Sequence, residues 1–252
     1  MGLQDEFPIP SCKMKLHSRR QLFWPLHCGS LVLLTSLPGL SQTKAPLQET
    51  LETLLVPRIE FVETPLKDAI TYLSDLSQTL DRSGNQGINI LLKDPELGNR
   101  TVTLQLSRIS LAEALRFTAL LAGARLRVEK VAVVIEPIPP DEGIPKPRDN
   151  PALATKLQQL VIPSLEFSDT PLVDAIHFFR AKAGELDIRS PEASRGLNFV
   201  LLSPEKAKDA RVTLRLKNIP FEEALRYTTT LAGWRHQIDG PTILIRPQNS
   251  PD

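Results

Sequence analysis

Val102-Thr103-Leu104-Gln105-Leu106-Ser107-Arg108-Ile109-Ser110-Leu111-Ala112-Glu113-Ala114-Leu115-Arg116-Phe117-Thr118-Ala119-Leu120-Leu121-Ala122-Gly123 returns 110 residues later, from Val212 to Gly233, with 13 of 22 positions identical. Identity at that level is far beyond chance, so the chain holds two copies of one supersecondary unit. Val102, Leu104 and Leu106 alternate with Thr103 and Gln105, the period of a strand buried on one face. Ser110-Leu111-Ala112-Glu113 is a capping box that opens a helix, with Leu111, Ala114, Leu115, Thr118 and Ala122 facing inward and Gly123 at its end. The second copy substitutes Pro220 at the cap.

Upstream, Pro57 to Ile70 recurs as Pro163 to Ile176 at an offset of 106, and Gly87-Ile88-Asn89-Ile90 recurs as Gly196-Leu197-Asn198-Phe199. Ile59 to Val62 reads as a strand. Thr64-Pro65 reads as an N-cap followed by proline at the first helical position. Leu66, Ala69, Ile70 and Leu73 then form one apolar helical stripe, repeated by Leu172, Ala175, Ile176 and Phe179. Ile88 to Leu92 is a further strand. Downstream, Arg235 to Ile238, the turn Asp239-Gly240 and Thr242 to Ile245 make a hairpin, for which the first copy uses Glu129-Lys130. Short helices over Leu47–Leu55 and Ala152–Leu160 lead into the copies. The order is β-α-β-β-α-β-β, an α+β fold with both helices on one face of a small sheet. Residues 137–151 carry six prolines. They are expected to act as an extended, semi-rigid spacer between modules at 46–136 and 152–247 that share few contacts.

The runs LEFSDTPLVDAIHFF, GLNFVLL, VTLRLKNIPFEEALRYTTTLAGWRHQIDG and TILIRP, taken in order and twice over, resemble the short N-terminal domain shared by secretins and TonB-dependent receptors. The resemblance covers roughly residues 56–137 and 162–247. It implies a periplasmic module that docks onto a protein partner or onto neighbouring copies. The chain differs from such proteins in having two modules and no large β-rich pore or receptor barrel after them. An adaptor or accessory role in an envelope secretion, transport or signalling assembly is therefore expected. A second reading makes the chain the leading part of a secretin-type pore, and a third makes it a periplasmic enzyme or glycan-binding accessory.

The first 41 residues read as an export signal. Lys13, Lys15, Arg19 and Arg20 precede an apolar run from Leu22 to Leu40, and Gly39-Leu40-Ser41 offers small residues for cleavage between Ser41 and Gln42. Met14 offers an alternative start, and Ser18-Arg19-Arg20-Gln21-Leu22-Phe23 also resembles a twin-arginine signal. The run contains Pro25, His27 and Pro38, which argues against a spanning helix. Cys12 and Cys28 both lie in this segment, so the mature chain is expected to have no thiol chemistry. Without residues 1–41 the chain has 26 basic and 27 acidic side chains. That balance gives no electrostatic drive toward nucleic acid or an anionic membrane surface.

The acids that recur, Glu60/Glu166, Asp68/Asp174 and Glu113/Glu223, raise the possibility of paired-carboxylate catalysis, but four of them fall in first helical turns, where the helix dipole favours negative charge. His177 and His236 have no counterparts in the first copy, where Thr71 and Leu126 stand. No catalytic, metal or cofactor site is expected. Partner contacts are expected at Thr103, Gln105, Thr213, Arg215 and Lys217 on the helix-free sheet face, at Arg116 and Arg226, and at Trp234, with edge-strand pairing as the docking mode. Self-association belongs to the same expectation. Mass spectrometry of the exported protein should find its N-terminus at Gln42, and an intact Cys28 in that protein would contradict the leader reading.

Overall fold

In a computed structural model describing residues 46–81 and 87–249, both copies adopt the expected order. The leader, with Ser41 and Gln42, lies outside the described residues. The first copy runs α1 (Pro46–Thr53), β1 (Leu55–Pro65), α2 (Leu66–Leu80), β2 (Ile90–Leu92), β3 (Thr101–Ser110), α3 (Leu111–Leu121), β4 (Ala124–Val128) and β5 (Val133–Pro137). The second runs α4 (Pro151–Gln159), β6 (Val161–Pro171), α5 (Leu172–Leu186), β7 (Asn198–Leu201), α6 (Pro204–Asp209), β8 (Arg211–Pro220), α7 (Phe221–Leu231), β9 (Trp234–Asp239) and β10 (Thr242–Pro247). Among the described residues no helix is long and apolar enough to cross a membrane.

The five strands of a copy divide into two small sheets. β1 pairs antiparallel with β3, while β5 lies between a parallel β2 and an antiparallel β4; β6–β8 and β7–β10–β9 repeat the arrangement. The helices bury the stripes that their spacing predicts: Leu66, Ala69, Ile70 and Leu73 on α2, and Leu172, Ala175, Ile176 and Phe179 on α5. Phe179 packs edge-on to Phe221 with ring centroids 5.3 Å apart, a favoured aromatic geometry.

The strand-to-helix corners work differently from the Thr64 N-cap reading. β1 continues through Pro65, so Pro65 itself occupies the cap position and the Thr64 hydroxyl turns back to the Val62 carbonyl. The first helical N–H groups are satisfied by main chain from elsewhere: Leu66 donates to Arg100 O and Leu172 to Ala210 O, both at 2.8 Å. Leu111 and Phe221 likewise donate to Leu54 O and Leu160 O at 2.8 Å, so the first N–H of each helix is satisfied whether Ser110 or Pro220 precedes it. Ser110 does cap α3 by accepting from Glu113 N. In the hairpins, Asp239 pairs with Thr242, leaving Gly240-Pro241 as the two-residue loop. Val128 pairs with Val133, so the first copy needs the four residues Glu129–Ala132 rather than Glu129-Lys130 alone.

The same non-glycine positions take positive φ in both copies, Glu63 with Asp169 at 48° and 49°, and Arg108 with Asn218 at 51° and 50°. The first pair sits where the β1–β3 and β6–β8 registers shift, the bend expected of a β-bulge. Left-handed backbone is unfavourable for side chains with a Cβ, and here a threonine supports it. Thr103 Oγ1 accepts from Glu63 N and Thr213 Oγ1 from Asp169 N, each at 3.0 Å.

The two copies fall within one compact unit, contrary to the expectation of halves held apart by a spacer. β10 shows why. Ile243 and Ile245 enter the core of the second copy, while Leu244, together with Val200 and Leu202 of the β7 segment, belongs to the core of the first. The second copy's three-stranded sheet is thus covered on both faces. Each apolar side chain of this size contributes about 1.5–3 kcal/mol when withdrawn from water, enough to hold the linker-joined copies together.

Leu225, fully buried in α7, tests the coupling. Leu225→Ala should cost about 2–5 kcal/mol. Urea unfolding followed by far-UV circular dichroism, which senses both copies, and by Trp234 fluorescence, which senses the second, should shift together. Separated transitions would mean that the copies fold independently.

Candidate interaction surfaces

Asp239, at the end of β9, is 1% exposed. A buried carboxylate needs compensating donors, and three converge on it. Arg116 Nη1 donates to Oδ2 at 3.0 Å, and the main-chain N–H and Nε of Arg148 donate to Oδ1 at 3.2 and 3.3 Å. Glu113 Oε2 accepts from Arg116 Nε at 3.1 Å and from Arg148 Nη2 at 2.6 Å. Two arginines and two acids therefore close a ring that ties α3 of the first copy, the linker and the last hairpin of the second. The hydrogen bond with Glu113 raises the Arg148 pKa further, against the opposing effect of burial.

The turn beside Asp239 completes the clasp. Gly240 N–H donates to Arg148 O at 2.8 Å, and Asn150 Nδ2 donates to Gly240 O at 2.9 Å. Gly240 has φ +58°, and a Cβ there would stand 2.8 Å from Arg148 Nη2. Backbone conformation and close approach both select glycine at this position.

A second set of contacts lies along β3. The Asn198 side chain accepts from Ser107 N–H and donates to Ser107 C=O, both at 2.9 Å. One amide group supplies the donor and acceptor that an added strand would supply to this edge. Arg180 donates to Gln105 Oε1 at 2.9 Å and to Phe199 O at 3.2 Å, and Arg108 donates to Arg195 O at 3.0 Å. Burial pushes the Arg180 guanidinium below its ordinary pKa. A crevice of about 210 Å³ remains between the copies, lined by Phe61, Leu104, Ile176, His177, Arg180 and Phe199.

The residues expected to meet a partner meet different fates. Thr103 and Thr213 brace their bulges. Gln105 and Arg116 are engaged by the second copy. Trp234 is buried in the core of the second copy, which corrects its reading as a contact residue. Arg215, Lys217 and Arg226 are exposed; Arg215 pairs across the strands with Glu166 at 3.1 Å, and Arg226 pairs with Glu223 and lies over the Tyr227 ring at 4.4 Å. Sequence reading missed the contact roles of Asn198, Arg148, Arg180 and Asp239. Asn198 belongs to a recurring Gly-x-Asn and Asp239 to a predicted turn, but neither motif reveals a distant partner.

Matched positions differ in exposure between the copies. Phe117 is fully buried and its counterpart Tyr227 is 41% exposed; Leu121 is half-buried and its counterpart Leu231 is 57% exposed. Leu104, Leu106 and Ile109 are buried, whereas Leu214, Leu216 and Ile219 are only partly so.

A cleft of about 750 Å³ between the linker and the second copy is lined by Lys146, Asp149, Glu222, His236, Gln237 and Arg246, among others. Burial pushes His236 below the ordinary histidine pKa, and its Nδ1 lies 3.3 Å from Thr229 Oγ1. Among the described residues no group of three or more His, Cys, Asp or Glu side chains could hold a metal ion.

Asp239→Ala leaves Arg116 without its buried partner and should lower stability by about 3–5 kcal/mol in chemical denaturation. Limited proteolysis should then cut residues 138–147 faster than in the parent chain. Unchanged cutting and stability would show that the ring does not hold the copies together. No protein-family model, no curated protein and no solved structure matches the chain.

Proposed function

We propose that the chain is an exported, non-enzymatic protein-interaction component of an envelope assembly, and that its binding surface is the α7–β8 face of the second copy. One observation carries this reading. The matching α3–β3 face of the first copy is covered by a folded protein module, the second copy, through Asn198, Arg180, Asp239 and the Val200–Leu244 patch. The α7–β8 face has the same backbone frame and leaves Tyr227, Leu231, Arg215, Lys217 and Arg226 exposed. A mixed apolar and cationic surface that includes an exposed aromatic residue fits the composition of protein-binding patches.

Arg215 and Lys217 point away from the core, so Arg215→Glu with Lys217→Glu should leave circular dichroism unchanged. The double variant should weaken retention of whatever protein the chain captures from native envelope extracts. Undiminished capture would remove the α7–β8 face from consideration as the docking surface.

A further inference from the structure

The contact between the copies is heterologous: two like modules meet through unlike faces. The first copy contributes its α3–β3 face, and the second contributes the outer face of its β7–β10–β9 sheet. Among the described residues, each chain therefore leaves the α7–β8 face of the second copy uncovered and the outer face of the first copy's β2–β5–β4 sheet only partly covered, where Arg125 pairs with Glu136 and with Glu142 of the linker. We infer that these two faces bind one another between molecules, so that chains associate head to tail by repeating their internal interface. This rests on the interaction reading above and names the partner as a second copy of this chain.

Exposed apolar residues mark both faces. Leu91 matches the buried Val200 but is 56% exposed, and Val131 at the adjacent hairpin tip is 76% exposed, whereas Val134, the match of Leu244, is only 7% exposed. Opposite them stand Tyr227 and Leu231, which match the buried Phe117 and the half-buried Leu121. Large solvent-facing apolar groups gathered on two complementary faces indicate a covered state.

The polar contacts have counterparts as well. Asn89 occupies the place of Asn198, and Lys217 the place of Ser107, whose main chain the asparagine reads. Glu129 stands where Asp239 stands, and Arg226 where Arg116 stands. In both copies the arginine also pairs with the acid three residues before it, Glu113 or Glu223, so Arg226 is already oriented as Arg116 is. Three contacts are not kept: Lys93 replaces Leu202, Ser74 and Arg215 replace Arg180 and Gln105, and Asn218 replaces the Arg108 that donates to Arg195 O. The contact between molecules is accordingly weaker than the one within. A repeated heterologous contact closes into a ring or extends as a filament.

Sedimentation velocity on the purified full chain over a concentration series tests this. The parent should form species larger than a dimer as concentration rises. Leu91→Glu blocks only the sheet face and Tyr227→Glu only the helix face; both residues are exposed, and circular dichroism should confirm folding. Each variant alone should stay monomeric, while an equimolar mixture should form a dimer and nothing larger. Arg226→Glu should also prevent assembly, and adding Glu129→Arg in the same chain should restore it. A parent chain that remains monomeric throughout, or single variants that assemble like the parent, overturns the inference. If such a monomeric chain still captures an envelope protein through Arg215 and Lys217, only this inference falls and the interaction reading stands.

Discussion

A three-stranded sheet has two faces, and a module with two helices covers only one of them. Much of this structure follows from that constraint. In β10 the residues Ile243 and Ile245 turn toward the helices of their own copy, and Leu244 between them must find cover elsewhere. It finds it against the first copy, along with Val200 and Leu202. The polar groups around the patch are then matched individually: Asn198 to the Ser107 main chain, Arg180 to Gln105, and Arg116 with Arg148 to Asp239. Burying the apolar patch supplies the attraction, and these hydrogen bonds set the register at which it is satisfied.

The repeat, the helical stripes and the strand order were legible because they rest on local periodicity. Leu66, Ala69, Ile70 and Leu73 can only be a helical face, and Val102, Leu104 and Leu106 only a strand face. The continuous apolar runs Val200-Leu201-Leu202 and Ile243-Leu244-Ile245 also carried information, since strands buried on both sides read that way. What they could not state was the covering surface. Caps were misread for a related reason: Leu66 and Leu172 satisfy their N–H groups with carbonyls more than 30 residues away in sequence, a solution that no local motif announces.

The candidate site was legible only in half. The outward positions of β8 are exposed as their alternation predicts, but Gln105 and Ser107 at the same positions of β3 are engaged by the second copy, because sequence pattern assigns a face and not its occupant. The clasp around Asp239 depends on residues at 113, 116, 148 and 239; the i,i+3 spacing of Glu113 and Arg116 predicts their ion pair, but nothing in sequence brings Arg148 and Asp239 to it. Conversely, near-identical stretches of sequence end in different surroundings, with Phe117 enclosed and Tyr227 open to solvent. The more polar aromatic stands on the open copy, as expected for a ring whose hydroxyl can keep contact with water.

The linker changes what the internal contact must achieve. Joining two modules by a short tether gives each an effective concentration of about millimolar at the other's face. An interface too weak to hold separate molecules together at micromolar levels therefore stays closed inside the chain. An untethered contact of the same design would open and close with abundance, whereas the tether keeps this one closed. By anchoring Arg148 between Glu113 and Asp239, the chain makes its internal joint insensitive to dilution.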